Sequence, residues 1–114
     1  MSNPIKIAVD AMGGENSPKK IIKGIKIHHN NANNIFYNIF GDKKLIDPLI
    51  NKEQLPEKSY KIFDTKNHIK DEDSPLSAAK KGKDTSMWLS IESLKNNESD
   101  AIVSAGNTGA LMAM

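Results

Sequence analysis

Four short runs of β-branched and aromatic residues alternate with helix-like segments, and this alternation limits the possible folds more than any other feature of the chain. The runs are residues 4–10, 35–40, 60–63 and 101–103. In the first, Ile5, Ile7 and Val9 alternate as on a strand. Ala8 adds an apolar residue on the other face, which suits a strand buried on both sides. The order β-α-β-α-β-α-β-α argues for a parallel sheet with helices on both faces. Such sheets bind ligands at the carboxyl ends of their strands.

Local signals place the helices. Ser17 is the expected N-cap and Pro18 the first helical residue. Ile21, Ile22, Ile25 and His28 then share one face at helical spacing. Lys19, Lys20, Lys23 and Lys26 take the other side, which reads as solvated surface ahead of a site for an acidic partner. His28 and His29 meet the helix C-terminus favourably when protonated. As neighbours on a helix they point apart, which argues against a shared metal. Residues 30–34 read as a loop. Asp42 is expected to cap a helix over residues 43–51, with Leu45, Ile46, Leu49 and Ile50 apolar and Pro48 kinking or shortening it. Residues 64–73 read as a polar loop, and Ser74-Pro75 opens another helical segment that Gly82 interrupts. Asp84 or Thr85 then caps a longer helix with Met87, Trp88, Ile91 and Leu94 on one face.

Composition excludes several classes. At 114 residues the chain is one domain at most. With 38% hydrophobic and 5% aromatic residues, its core is built from Ile, Leu, Val, Met and Ala. The absence of cysteine excludes disulfides, thiolate zinc sites and a cysteine nucleophile, and fits a cytoplasmic protein. A net charge of +2 does not imply nucleic acid. No apolar run approaches the ~20 residues of a membrane span. Lys6 and Asp10 around the first apolar run are unlike a signal peptide.

Three places suit an anion. Asp10 ends the first strand, and Ala11-Met12-Gly13-Gly14-Glu15-Asn16 follows, where paired glycines allow positive φ and close approach to a ligand. The segment Lys80-Lys81-Gly82-Lys83-Asp84-Thr85-Ser86 gathers cations and hydroxyls at a helix start. The stretch from Ser104 to Gly109 joins a strand to a helix through Gly106, Asn107, Thr108 and Gly109. Each of the first two reads about as well as a plain turn or an exposed hinge. No Walker-type or G-x-G-x-x-G fingerprint is present.

These three segments, Asp10-Ala11-Met12-Gly13-Gly14, then Ser74-Pro75 with Ala78, Lys80, Lys81 and Lys83-Asp84-Thr85-Ser86-Met87, then Asp100 to Ala113, stand in the order seen in the bacterial phosphate acyltransferases of the PlsX family, which the chain resembles. The last motif is the longest and most specific. The family usually has Asp where this chain has Glu15, Arg near the start of the middle motif where it has Lys80, and Ser-Ser where it has Thr85-Ser86. Lys keeps the cation but not the bidentate fork of Arg. The likeness matches only the N-terminal part of such an enzyme. Residues 1–114 are therefore expected to be the N-terminal α/β part of its domain, cut about two turns into the last helix.

The resemblance implies a three-layer Rossmann-like fold of the isopropylmalate dehydrogenase and phosphotransacetylase kind, truncated here. It implies transfer of a fatty acyl group from acyl-[acyl carrier protein] to inorganic phosphate, giving acyl phosphate for phosphatidic acid synthesis. Phosphate is its own nucleophile, so the site must position it and stabilise a tetrahedral oxyanion. The implied catalytic residues are Asn107, Lys83 and Asp10, with Asp10 orienting a donor or a lysine. The implied phosphate-binding residues are Gly13, Gly14, Ser86, Ser104, Gly106, Thr108 and Gly109. No metal or cofactor is implied. The implied partners are acyl carrier protein, phosphate, a second copy of the chain and, peripherally, the inner face of the membrane. Two other readings compete with this enzyme: an anion- or nucleotide-binding module without turnover, and a ligand-free fragment that self-associates through a sheet edge.

Overall fold

The computed structural model describes residues 3–66 and 85–106. The expected helical segment from Ser74 and the lysines at 80, 81 and 83 lie outside the described residues, as does the chain from Asn107 on. Strands β1 (Ile5–Asp10), β2 (Ile35–Gly41), β3 (Tyr60–Asp64) and β4 (Ala101–Ser104) form one sheet. Its order is β3-β2-β1-β4 and every pairing is parallel. Helices α1 (Lys19–Asn31), α2 (Lys43–Glu53) and α3 (Ser86–Lys95) cover its two faces. The alternation read from the sequence thus gives the expected α/β architecture, compatible with a Rossmann-like description.

Strand parity assigns the faces. Val9, Tyr37 and Ile39 point to one side and pack with Ile22 and Ile25 of α1 and Ile46 and Ile50 of α2. Asp10 and Asn38, of opposite parity, point to the other side, under α3. Tyr37 is buried and its hydroxyl lies 2.6 Å from Nδ1 of His28 at the end of α1. Desolvation pushes its phenol above the ordinary value.

Several local expectations change. Ser17 does not cap α1. Its hydroxyl donates to the carbonyl of Gly13, and Pro18, in a helical conformation, is the cap residue. The loop before α1 takes this hydroxyl because Gly13 lies within reach of it. Helix α1 also runs on to Asn31, whose side-chain amide donates to the Ile27 carbonyl at 2.8 Å and ties down the last turn. Helix α2 continues through Pro48 to Glu53. Pro48 is exposed, and so is Lys44, the residue whose carbonyl loses its helical N–H partner to the proline. Leu45, expected on the apolar face, is 50% exposed.

The start of α2 is held as expected. Asp42 accepts from the Lys44 amide at 3.1 Å, and Asp64 from the end of β3 accepts from the Lys43 amide at 3.0 Å. Two carboxylates therefore meet the positive end of one helix. Asp42→Ala is expected to cost about 1 kcal/mol, the usual value of such a cap. A urea titration checks it, and Asp64→Ala should give a loss of the same order.

The largest departure is in α3. Trp88, Ile91 and Leu94 are only partly buried, and Ser86, Ser90 and Ser93 face the sheet with Met87. Small hydroxylated residues let the helix lie close over β1, β2 and β4. Each hydroxyl finds a partner there: Ser90 donates to the Ser86 carbonyl and Ser93 to the Ser90 carbonyl, both at 2.7 Å. Ser93 and Ser99 are 3.0 Å apart, and Asn38 of β2 donates to Ser99 at 3.0 Å and to the Glu98 carbonyl at 3.1 Å. The stripe is polar but paired, so its burial carries little of the cost of orphaned hydroxyls.

Candidate active site

The site grows from the carboxyl end of β1, an interior strand. Asp10 is its last residue and is 1% exposed. Parallel register places Ser104 of β4 directly beside it, although 94 residues separate the two in sequence. Ser104 Oγ donates to Asp10 Oδ2 at 2.9 Å. From the opposite layer Ser86, first residue of α3, donates to Asp10 Oδ1 at 2.6 Å. The Met12 amide donates to the same oxygen at 3.1 Å. One carboxylate therefore ties together the β1 loop, the start of α3 and the end of β4.

This arrangement is electrostatically consistent. A buried carboxylate is tolerated when charge-assisted hydrogen bonds replace its water. The N-terminus of α3 adds its positive dipole on the same side. That N-terminus is set by Thr85, whose hydroxyl accepts from the Trp88 amide at 3.2 Å. Thr85, of the two residues proposed from sequence, is the cap.

The two glycine loops meet face to face. A Cβ on Gly13 would lie 2.7 Å from Asp10 Oδ2 and 2.8 Å from the Gly106 Cα. A Cβ on Gly14, whose φ is +89°, would lie 2.7 Å from the Ala105 carbonyl oxygen. Gly106 in turn leaves room for the Met87 methyl, which a Cβ would approach to 2.9 Å. The amide of Gly106 donates to Ser104 Oγ at 3.2 Å, closing a small turn at the end of β4. Among the described residues the amides of Gly13 and Gly14 meet no acceptor.

Of the residues singled out from sequence, the fold thus gathers Asp10, Gly13, Gly14, Ser86, Ser104 and Gly106 at one edge of the sheet. Lys83, Asn107, Thr108 and Gly109 lie outside the described residues. The role of Asp10 as an anchor of two serine hydroxyls was not legible from spacing. Each of those serines carries a single hydroxyl proton, and it goes to Asp10 here. The buried Ser90, Ser93, Ser99 and Asn38 were not anticipated either. Their signal was the recurrence of serine at 86, 90 and 93, a helical face written in polar residues. Among the described residues no group of three His, Asp or Glu side chains is placed to hold a metal ion.

Comparison with known proteins adds to this geometry. Residues 5–114 match the model of a family described as "Fatty acid synthesis protein". The chain is similar to proteins named "Phosphate acyltransferase" from several bacteria. That of Pelagibacter ubique (strain HTCC1062) is 60% identical over 112 residues, covering 98% of this chain and 33% of the relative. That of Rhodospirillum rubrum is 38% identical over 114 residues, covering 100% of this chain and 33% of the relative. That of Oenococcus oeni (strain ATCC BAA-331 / PSU-1) is 39% identical over 113 residues, covering 99% and 32%. The chain thus spans about a third of the length of the relatives it matches.

Proposed function

The chain belongs to the fatty acid synthesis protein family, and from that membership we propose that the whole protein moves a fatty acyl group from an acyl carrier protein thioester onto inorganic phosphate. A phosphate oxygen attacks the thioester carbonyl carbon and the carbonyl oxygen becomes an oxyanion. Collapse breaks the C–S bond and leaves acyl phosphate. The departing thiolate takes up the proton that hydrogen phosphate brought, so no redox partner or cofactor enters the balance.

The observation that best supports this reading is the anchored edge of the sheet. Asp10 holds the β1 loop, α3 and β4 in one fixed relation, and among the described residues the amides of Gly13 and Gly14 meet no acceptor. Bare amides at fixed positions suit an anion whose charge changes little in place, because they stabilise it without reorganising. On this reading Gly13, Gly14 and the segment from Ser104 to Gly109 cradle phosphate. Asn107 and Lys83 meet the oxyanion, and Asp10 and Ser86 keep the cradle in register. The enzyme then works in the cytoplasm as a homodimer with peripheral contact to the inner membrane face. No described helix is long and apolar enough to cross a membrane.

The test is an assay of the full-length protein with acylated carrier and labelled phosphate. Acyl phosphate should form, and Asn107→Ala or Lys83→Ala should each lower turnover by roughly 10²–10³-fold, the loss typical of removing one oxyanion donor. Full turnover in both variants would remove this site assignment.

A further inference from the structure

Helix α1 is charged against its own interest. It carries Lys19, Lys20, Lys23 and Lys26 and no acidic residue. Lys19 and Lys20 sit in its first turn, where the helix dipole favours acids. Lys19 and Lys23 stand one turn apart as a like-charged pair. Lys26 reaches toward the Gln54 carbonyl at 3.4 Å, but Lys19, Lys20 and Lys23 are exposed and form no ion pair among the described residues.

Two further features fall on the same face. Gly24 stands in the middle of the helix, with nothing within 4 Å of the place a Cβ would take. Glycine there weakens a helix, and no contact among the described residues requires it. Ile27 is 64% exposed. Together Asn16, Lys19, Lys20, Lys23, Gly24 and Ile27 line a shallow groove of about 560 Å³. Asn16, one of its lining residues, belongs to the loop that carries Gly13 and Gly14, so the groove adjoins one loop of the candidate site.

We propose that this groove is the docking surface for the acidic carrier that delivers the acyl thioester, an inference that rests on the functional reading above. An acidic helix laid across α1 sets carboxylates against the three lysines and an apolar side chain against Ile27. The missing side chain at Gly24 admits close approach. Complementary charge of this kind steers encounter and sets register. A concave surface with one exposed apolar residue fits a convex protein helix better than a flat anionic bilayer, which wants a row of apolar side chains.

Fluorescence anisotropy of a labelled, acylated acyl carrier protein titrated with this chain tests the proposal. Binding should weaken with salt, and Lys20→Glu/Lys23→Glu should weaken it at least tenfold. Lys52→Glu/Lys58→Glu, with the same change in charge at exposed positions on α2 and beyond it, should leave it within about twofold. Circular dichroism establishes that both variants fold, and Lys20→Gln/Lys23→Gln should fall between them. Gly24→Leu should also weaken binding while raising the melting temperature of the chain. Equal losses in the two charge-reversal variants, or none in either, would overturn the proposal. So would lysine-dependent binding to phosphatidylglycerol vesicles without binding to the carrier. Lysine-dependent carrier binding by a full-length protein that makes no acyl phosphate would instead defeat the functional reading and leave the docking surface standing.

Discussion

Asp10→Ala is expected to cost the chain about 2–5 kcal/mol and to lower acyl transfer by the full-length protein at least about 100-fold. The stability loss follows from the donors left behind. The Met12 amide is fixed by the backbone and cannot turn to another acceptor. The Ser86 and Ser104 hydroxyls can rotate, but both stand at a nearly closed edge where Asp10 is 1% exposed. A buried donor without an acceptor costs about 1–3 kcal/mol, and a domain of this size holds only some 5–15 kcal/mol in all. Asp10→Asn should be milder, about 1–2 kcal/mol, because its oxygen still serves Met12 and Ser86. Its amide then forces Ser104 to accept where it now donates. Urea unfolding of both variants separates the cases, and an alanine variant within 0.5 kcal/mol of the parent, about the spread of neutral surface changes, would deny Asp10 its anchoring role. The loss in rate follows from position alone, since a misplacement of about 1 Å can cost 10²-fold.

Gly13→Ala is the second large effect, with an expected cost of about 1–3 kcal/mol for overpacking and a raised KM for phosphate in the full-length protein. The added methyl has nowhere to go. It would meet the Asp10 carboxylate at 2.7 Å and the Gly106 backbone at 2.8 and 2.9 Å, and none of these is the loose end of a flexible side chain. The two loops must therefore part, and the anchor must shift with them. Gly14→Ala adds a different strain, because φ of +89° lies where side chains are rarely held. Thermal melts of both variants beside Gly24→Ala make the contrast. The last should gain about 0.5–1 kcal/mol, because an exposed mid-helix glycine without neighbours only weakens its helix. A Gly13→Ala variant as stable as the parent would show that the loops are free to separate.

The alternation of strand and helix was readable because each run carries its own period. Ile5, Ile7 and Val9 announce a strand, and Ile22 and Ile25 announce the buried side of α1. Asp42 marked its helix start for the same reason, since a cap acts on an amide two residues away. Ser17 looked equally good as a cap and was not one, because a carbonyl in the preceding loop competed for its hydroxyl. On α3 hydrophobicity does not mark burial. There the buried stripe is serine, held by hydroxyl bonds to backbone carbonyls and to Ser99, while Trp88 is partly exposed with its indole N–H on Glu92 at 2.9 Å.

The sequence by itself determined the class of fold, the positions of its strands and the residue types at its ligand edge. These are local properties, fixed by periodicity and by what glycine, proline and aspartate permit within a few residues. Only the tertiary structure decided that Asp10, Ser86 and Ser104 form one unit, and that Gly13 must lack a side chain because Gly106 lies against it. Those relations span 76 and 94 residues of chain. They arise from how closely a serine-faced helix, marked in sequence only by Ser86, Ser90 and Ser93, lies on the sheet, and from parallel register, which leaves no mark on any short stretch of sequence.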